Sequence, residues 1–448
     1  MAYTTRESEV PTDRAGGKPP LSRWQMLTIA LMLVGYAGYY LCRVHLSVAT
    51  PQLLEAFKAQ GLTKTKIGDI VSLGTIFYAA GKFLNGSFAD FLGGKKMFLI
   101  GMGGAVLCTL FFGASSTIPL FTLAWALNRG VQSGGWAGLV KVSSRWFSYS
   151  LYGTVMGVIS LSYLFGDFLS RLFLGQLIKW HMDWRGVFFT AAGVLAVIFV
   201  FNLLLLKEAP HEVGEPDPPS NPDNVYGEAG HEAQQAGILS LLLPLLSSPT
   251  FWIVCALSFG FTMVRETFNT WIPTYLHEAV GMAKGDAAQA SSLFPLFGGF
   301  SVLLAGFLSD RLGRQGRALI ILVGLLLTIP ALFMLAYVKF HGSPILPIIL
   351  FGAIAFVMLG PYSFLAGAIG MDFGGKKGSA TASGWIDGIG YIGGILAGTY
   401  IGSIADKQGW ESAFMTLAYV AIGSFVAAGI YLWQQSRPVA IREGDRLG

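Results

Sequence analysis

Six of the 30 lysines and arginines fall inside stretches that are otherwise built for lipid: Arg43, Lys82, Arg129, Lys141, Arg171 and Arg265. Arg43 sits in GYAGYYLCRVH, between the apolar runs LTIALMLV and LSVATPQLL. A charge at bilayer depth costs a few kcal/mol or more, so such a residue faces a wet cavity or a partner. A guanidinium is always charged and forks onto phosphate or carboxylate oxygens, which makes anion recognition the chemistry to expect. At helical spacing Tyr36, Tyr40, Arg43 and Ser47 share one face, and so do Ser258, Thr262, Arg265 and Asn269. Arg43 and Arg265 stand 222 positions apart, and the spacing predicts that they converge on one ligand at mid-membrane. The alternative is pairing with a buried acid, for which Asp167, Glu266 and Asp387 are the candidates. Asp167 and Arg171, four residues apart, read mainly as an intrahelical pair. Tyr40, Trp136, Tyr163 and Tyr391 are candidates for the cavity wall or for packing. His45 reads as a solvated or hydrogen-bonded residue on a polar helix face.

The elements that must position these residues follow from hydropathy. The 448 residues are 53% hydrophobic and only 12% charged, with a mean hydropathy of +0.58, about half the charge of a soluble domain. The expected class is an all-α membrane protein with twelve transmembrane helices, at roughly 25–53, 66–90, 97–115, 119–142, 152–177, 186–206, 247–275, 288–309, 318–338, 344–367, 378–404 and 411–433. The expected organisation is an N-terminal tail (1–24), a six-helix bundle (25–206), a Pro/Gly-rich linker (207–246), a second six-helix bundle (247–433) and a C-terminal tail (434–448). Sixteen Lys/Arg fall on the side of both tails and the linker and eight on the other, which predicts that the tails and linker are cytoplasmic. Basic flanks of this kind account for the pI near 9.0 without nucleic acid. Cys42, Cys108 and Cys255 lie in apolar segments and form neither a disulfide framework nor a zinc spacing.

The halves repeat. GSFADFLGGKK matches GFLSDRLGRQGR with Asp90 and Asp310 offset by 220, and Trp184 and Trp410 are offset by 226. Duplicated six-helix halves suit a rocking transporter with its site between them. The pattern G-x-x-x-D-x-x-G-x-[KR] after the second span of each half resembles the cytoplasmic-loop signature of the major facilitator superfamily. In it Asp90, Asp310 and Arg311 are gating or structural residues, the aspartate capping a neighbouring helix or pairing with an arginine.

A closer resemblance, over essentially the whole chain, is to the organophosphate:phosphate antiporter family. It is carried by GYAGYYLCR, GKFLNGSFAD, GVQSGGWAGLVK, RETFNTWIPTYL and GWIDGIGYIGG. The resemblance implies a phosphoryl group clamped between Arg43 and Arg265, with Lys82, one turn after Tyr78, as a third cation. A lysine near a span end could instead snorkel to the interface. Asp387, one turn before Tyr391, is similar to an acid of some sugar-phosphate members and could bind sugar hydroxyls or neutralise an arginine. The chain departs from the family's glycerol-phosphate carriers at Val44, where they have a lysine, and at Tyr163, where they have a histidine. The implied function is exchange of a small phosphorylated metabolite for inorganic phosphate, by a monomer among membrane lipids in a bacterial inner membrane. A proton-coupled symporter of an organic anion such as a sugar acid, with Glu266, Asp387 or Asp167 carrying the proton, is the first alternative. A transporter-like sensor is the second. No catalytic constellation, cofactor or metal set is expected, and without a G-x-x-x-x-G-K-[ST] loop neither is ATP drive.

Overall fold

The computed structural model describes residues 21–219, 221–222, 224–231, 237–282, 287, 290–338 and 344–436. The outer parts of both predicted tails, with Arg6, Arg14, Lys18, Arg437, Arg442 and Arg446, lie outside the described residues, as do Lys284 and Lys339. The fold is all-helical among the described residues. In the first half the helices are α1 (Arg23–Tyr39), α2 (Leu41–Ala56), α3 (Lys64–Leu92), α4 (Gly94–Ala114), α5 (Ile118–Gln132), α6 (Gly134–Trp146), α7 (Tyr152–Lys179) and α8 (Trp184–Leu205). A short α9 (Ile238–Leu246) precedes the second half, which holds α10 (Pro249–Glu278), α11 (Leu293–Arg311), α12 (Gly316–Tyr337), α13 (Ile345–Phe364) and α14 (Gly370–Ser436).

Twelve crossings come from these helices once their breaks are read. α1 and α2 form one span bent at Cys42, whose φ of −90° and ψ of 18° are not helical. α5 and α6 form another, broken at Ser133. A five-residue π turn, Leu365–Ile369, joins α13 to α14. α14 is itself three rods. Gly375 (φ 54°) and Gly409 (φ 86°) take left-handed backbone where it folds back, a conformation open to glycine at little cost. By length and hydropathy alone eight runs among the described residues qualify as spans, because the run 345–436 holds three and the polar α3 and broken α5–α6 are not counted. Those two least apolar spans supply Tyr78, Lys82 and Trp136 to the central cavity.

Helix starts are set locally. Ser22 and Gln25 form a capping box on α1, and Thr63, Asp183 and Ser248 cap α3, α8 and α10. The halves meet where α3 packs on the middle rod of α14 and α7 on α11. Glycine makes both seams possible. A Cβ on Gly86 would stand 2.9 Å from the Cα of Gly384, and one on Gly306 would stand 2.6 Å from the carbonyl oxygen of Gly153.

At one end of the molecule each motif aspartate caps a helix of the opposite half. Asp90 accepts from the backbone N–H of Ala380 (3.4 Å) and Thr381 (2.7 Å), and Asp310 from Gly153 (3.1 Å) and Thr154 (2.8 Å). Lys141 Nζ lies 2.7 Å from Asp90 and donates to the carbonyls of Lys376 (2.5 Å) and Lys377 (2.9 Å). The arginine beside Asp310 is Arg317, at 3.7 Å, which also hydrogen-bonds Asp372; Arg311 stacks on Phe307 instead, 4.0 Å from its ring centroid. The connector between the halves is tied down at this same end. Glu208 caps α4 through Gly94 (2.8 Å) and Lys95 (2.7 Å), and Tyr226 donates to the carbonyl of Leu241 (2.7 Å).

Candidate functional site

The break at Tyr40–Cys42 turns α2 so that Arg43 points between the halves, and α10 presents Arg265 from the other side. Both line a central cavity of about 70 Å³. Tyr36 and Tyr40 from α1, Lys82 from α3, Tyr163 from α7, and Asp387 and Tyr391 from α14 line it too. The structure thus brings together Arg43, Arg265, Lys82, Asp387 and the four tyrosines that the sequence offered for a binding site, and Trp136 with them. Tyr78, Trp136, Ser160, Tyr362, Ser363 and Ala366 complete the wall.

The polar geometry is specific. Lys82 Nζ stands 2.5 Å from Asp387 Oδ2 and is 2% exposed, so it crosses the seam and does not snorkel. Arg265 donates to its neighbour Glu266 and lies over the Tyr362 ring at 4.5 Å. Arg43 has no acidic partner among the described residues. Its Nε donates to Gln132 (3.1 Å), whose amide donates in turn to the Cys42 carbonyl (2.8 Å) and to Asn128. The guanidinium rests 4.5 Å from the Tyr40 ring and 5.2 Å from the Tyr78 ring, within cation–π range. Nη2 of Arg43 and Nε of Arg265 are buried without a hydrogen-bond partner. Buried donors left open in this way suit an anion that completes them.

Of the acids offered as partners for Arg43 and Arg265, Glu266 alone takes that role, at Arg265. Asp387 goes to Lys82, and Asp167 pairs with Arg171 (2.8 Å) on an exposed stretch of α7. His45 is a correction. It is fully buried, not solvated, and packs edge-on to Phe188 (4.2 Å) with neither ring nitrogen bonded. Two residues beyond Arg43 it points about 200° round the helix, toward α8 and away from the cavity. Aromatic contacts fix the wall: Tyr36 on Trp136 (5.6 Å), Tyr163 on Trp136 (6.2 Å) and Tyr391 on Tyr78 (5.1 Å). Gln132, Arg129 and Tyr362 were not offered as site residues from sequence, although Arg129 stood among the six in-span cations and Gln132 lies in the GVQSGGWAGLVK motif.

Lys82–Asp387, Trp136–Ala366, Ser144–Ser379, Gly153–Asp310 and Thr381–Asp90 join the halves at the level of the cavity or nearer the motif loops. Ser47 and Asn269, about one turn beyond Arg43 and Arg265 on the other side, are exposed.

The model of the Major Facilitator Superfamily matches residues 32–398. A "Probable hexose phosphate transport protein" of Chlamydia trachomatis is 30% identical over 418 residues, 89% of either chain. The "Glycerol-3-phosphate transporter" of Bacillus subtilis is 26% identical over 90% of either chain. The "Membrane sensor protein UhpC" of Escherichia coli is 25% identical over 89% of this chain and 90% of its own. Among solved structures, FucP in the outward conformation is similar in fold, with a TM-score of 0.69 at 15% identity over 93% of this chain and 100% of that one. The chain belongs to the Major Facilitator Superfamily and, within it, to the organophosphate:phosphate antiporter family.

Proposed function

We propose that the protein exchanges a small organic phosphate ester, a sugar phosphate or glycerol phosphate, for inorganic phosphate by alternating access. The observation that carries this reading is that Arg43 and Arg265, from equivalent points of the two halves, line one cavity with unfilled buried donors. The phosphoryl group binds between them, Lys82 contributes from the seam, and Tyr36, Tyr40, Tyr163 and Tyr391 shape the wall. Asp387 holds Lys82 until an anion competes for it. The halves, residues 25–206 and 247–433, act as the rocking bodies. The end bearing Asp90 and Asp310, with both tails and the 207–246 connector, faces the cytoplasm of a bacterial inner-membrane protein that works as a monomer. The side of Ser47 and Asn269 is then the outside. A cavity of about 70 Å³ is well below the roughly 300 Å³ of a typical small-molecule pocket, so an ester widens it on entry. Both transported partners carry the phosphoryl group, and each lowers the barrier to reorientation by bridging charges that repel in the empty site.

The test is counterflow. Proteoliposomes loaded with phosphate should take up labelled phosphate with the proton gradient collapsed by an ionophore. Loss of exchange under that treatment supports the proton-coupled symporter. The similarity to UhpC favours a second reading, a substrate sensor of the same fold. A sensor binds phosphate esters in the same assay and shows no turnover.

A further inference from the structure

The charges around the cavity do not cancel. Lys82 is held by Asp387 and Arg265 by Glu266. Arg43 and Arg129 have no carboxylate partner among the described residues, and a guanidinium cannot shed its proton. Nη2 of Arg43 and Nη1 of Arg129 are both buried with no hydrogen-bond partner. The two guanidiniums flank one ring. Arg43 Cζ is 5.2 Å from the Tyr78 centroid and Arg129 Cζ 4.3 Å, with Lys82 Nζ 4.8 Å from the same ring. Tyr78 is 1% exposed and lines the cavity. Arg129 stands behind it on α5, three residues before the Gln132 that holds Arg43. The ring faces offset part of the cations' desolvation but bring no charge. Four cations and two carboxylates therefore leave an excess of two positive charges, both on the N-terminal wall.

We infer that Arg129 is a specificity-determining charge that matches the site to a doubly negative ligand. With it, the empty site is complementary to the fully ionised phosphoryl group, HPO₄²⁻ or ROPO₃²⁻. A singly charged anion leaves one positive charge uncompensated. Arg129 acts through its field from behind Tyr78 and not by touching the ligand. This rests on the phosphate-exchange reading above and narrows it.

The experiment is calorimetric binding to the purified full-length protein at pH 8, where methyl phosphate is a dianion (phosphate monoesters lose their second proton near pH ~6) and dimethyl phosphate a monoanion. The parent should bind methyl phosphate at least tenfold more tightly than dimethyl phosphate. Arg129→Gln should shrink that gap about tenfold, and Arg129→Lys, which keeps the charge, should stay within about threefold of the parent. An unchanged gap in Arg129→Gln overturns the inference. So does an equal loss for both ligands, the mark of a packing role, and so does Arg129→Lys failing as badly as Arg129→Gln. If Arg129→Gln does not fold, the parent decides: dimethyl phosphate bound as tightly as methyl phosphate overturns the inference. A parent that binds neither phosphate nor methyl phosphate sinks the phosphate reading itself.

Discussion

Asp90→Asn should open the motif end of the molecule. The Asp90 carboxylate is fully buried, lies 2.7 Å from a Lys141 ammonium that is 1% exposed, and caps the middle rod of α14 through Ala380 and Thr381. Removing its charge leaves the Lys141 ammonium buried against two carbonyls only. Breaking a buried pair from one side costs about 3–5 kcal/mol. The carbonyls of Lys376 and Lys377 still accept from Nζ, so the lower end, about 3 kcal/mol, applies. A state in which the seam is parted lets water reach Lys141 and escapes that cost. The equilibrium should therefore move toward it by roughly a hundredfold, at about 1.4 kcal/mol per tenfold. Spin labels at Tyr149 and Leu312, exposed positions at the motif end of the two halves, read the separation by pulsed dipolar spectroscopy. The parent should give one short distance, and Asp90→Asn a second, longer one. Adding Lys141→Met should restore most of the short-distance population, because it removes the unpaired buried charge and takes hydrogen bonds only from the neutral Lys376 and Lys377 carbonyls. An unchanged distribution in Asp90→Asn, or a double variant as open as the single, refutes the reasoning.

Arg43→Lys and Arg265→Lys keep the charge and lose the fork, and each should weaken phosphate binding by about 1.5–3 kcal/mol, roughly tenfold to a hundredfold, by calorimetry. Asp387→Asn should do the reverse: freed from its 2.5 Å partner, Lys82 joins the anion site, and phosphate should bind tighter by on the order of tenfold while the thermal midpoint falls. Gly384→Val should abolish transport, since a Cβ there would lie 2.5 Å from the Lys82 carbonyl and 2.8 Å from Gly86 Cα. Gly398→Val, where nothing lies within 4 Å of the added carbon, should transport like the parent.

Arg43, Lys82 and Arg265 were legible because their surroundings are apolar: a charge among lipid-facing residues stands out by its cost. The offset of 222 between the two arginines carried the further step, since duplicated halves place equivalent residues symmetrically about one axis. Arg129 is equally out of place in its helix but has no counterpart in the second half, and nothing local says that it backs Tyr78. Partner choice was not legible either. Asp387 neutralises Lys82 and no arginine because the α3–α14 seam sets those two face to face. Arg317, seven residues past Asp310, pairs with it while adjacent Arg311 turns to Phe307. Both outcomes depend on how helices pack, which sequence spacing does not report. The break at Cys42 was also hidden, and with it the way α2 is turned so that Arg43 faces the cavity and His45 is buried.

The ion pair at the cavity and the cap at the motif end belong to the same two helices. α3 carries Lys82 and, eight residues on, Asp90. The middle rod of α14 carries the Ala380 and Thr381 amides and, a few residues on, Asp387. At 1.5 Å of rise per residue the two contacts are about 12 Å apart along one seam, with Gly86 packed on Gly384 between them. No side chain separates the helices at that point, so neither can shift at one contact without being felt at the other. An anion that draws Lys82 from Asp387 removes one of the two attachments and leaves the Asp90 cap as the other. A ligand moves such an equilibrium only as far as its affinities for the two arrangements differ, and on the proposed phosphate reading the difference arises at Lys82, whose charge is shared with Asp387 in one arrangement and given to the phosphoryl group in the other. On the proposed reading, binding and opening are linked through this seam, which Tyr78 and Tyr391 also bridge.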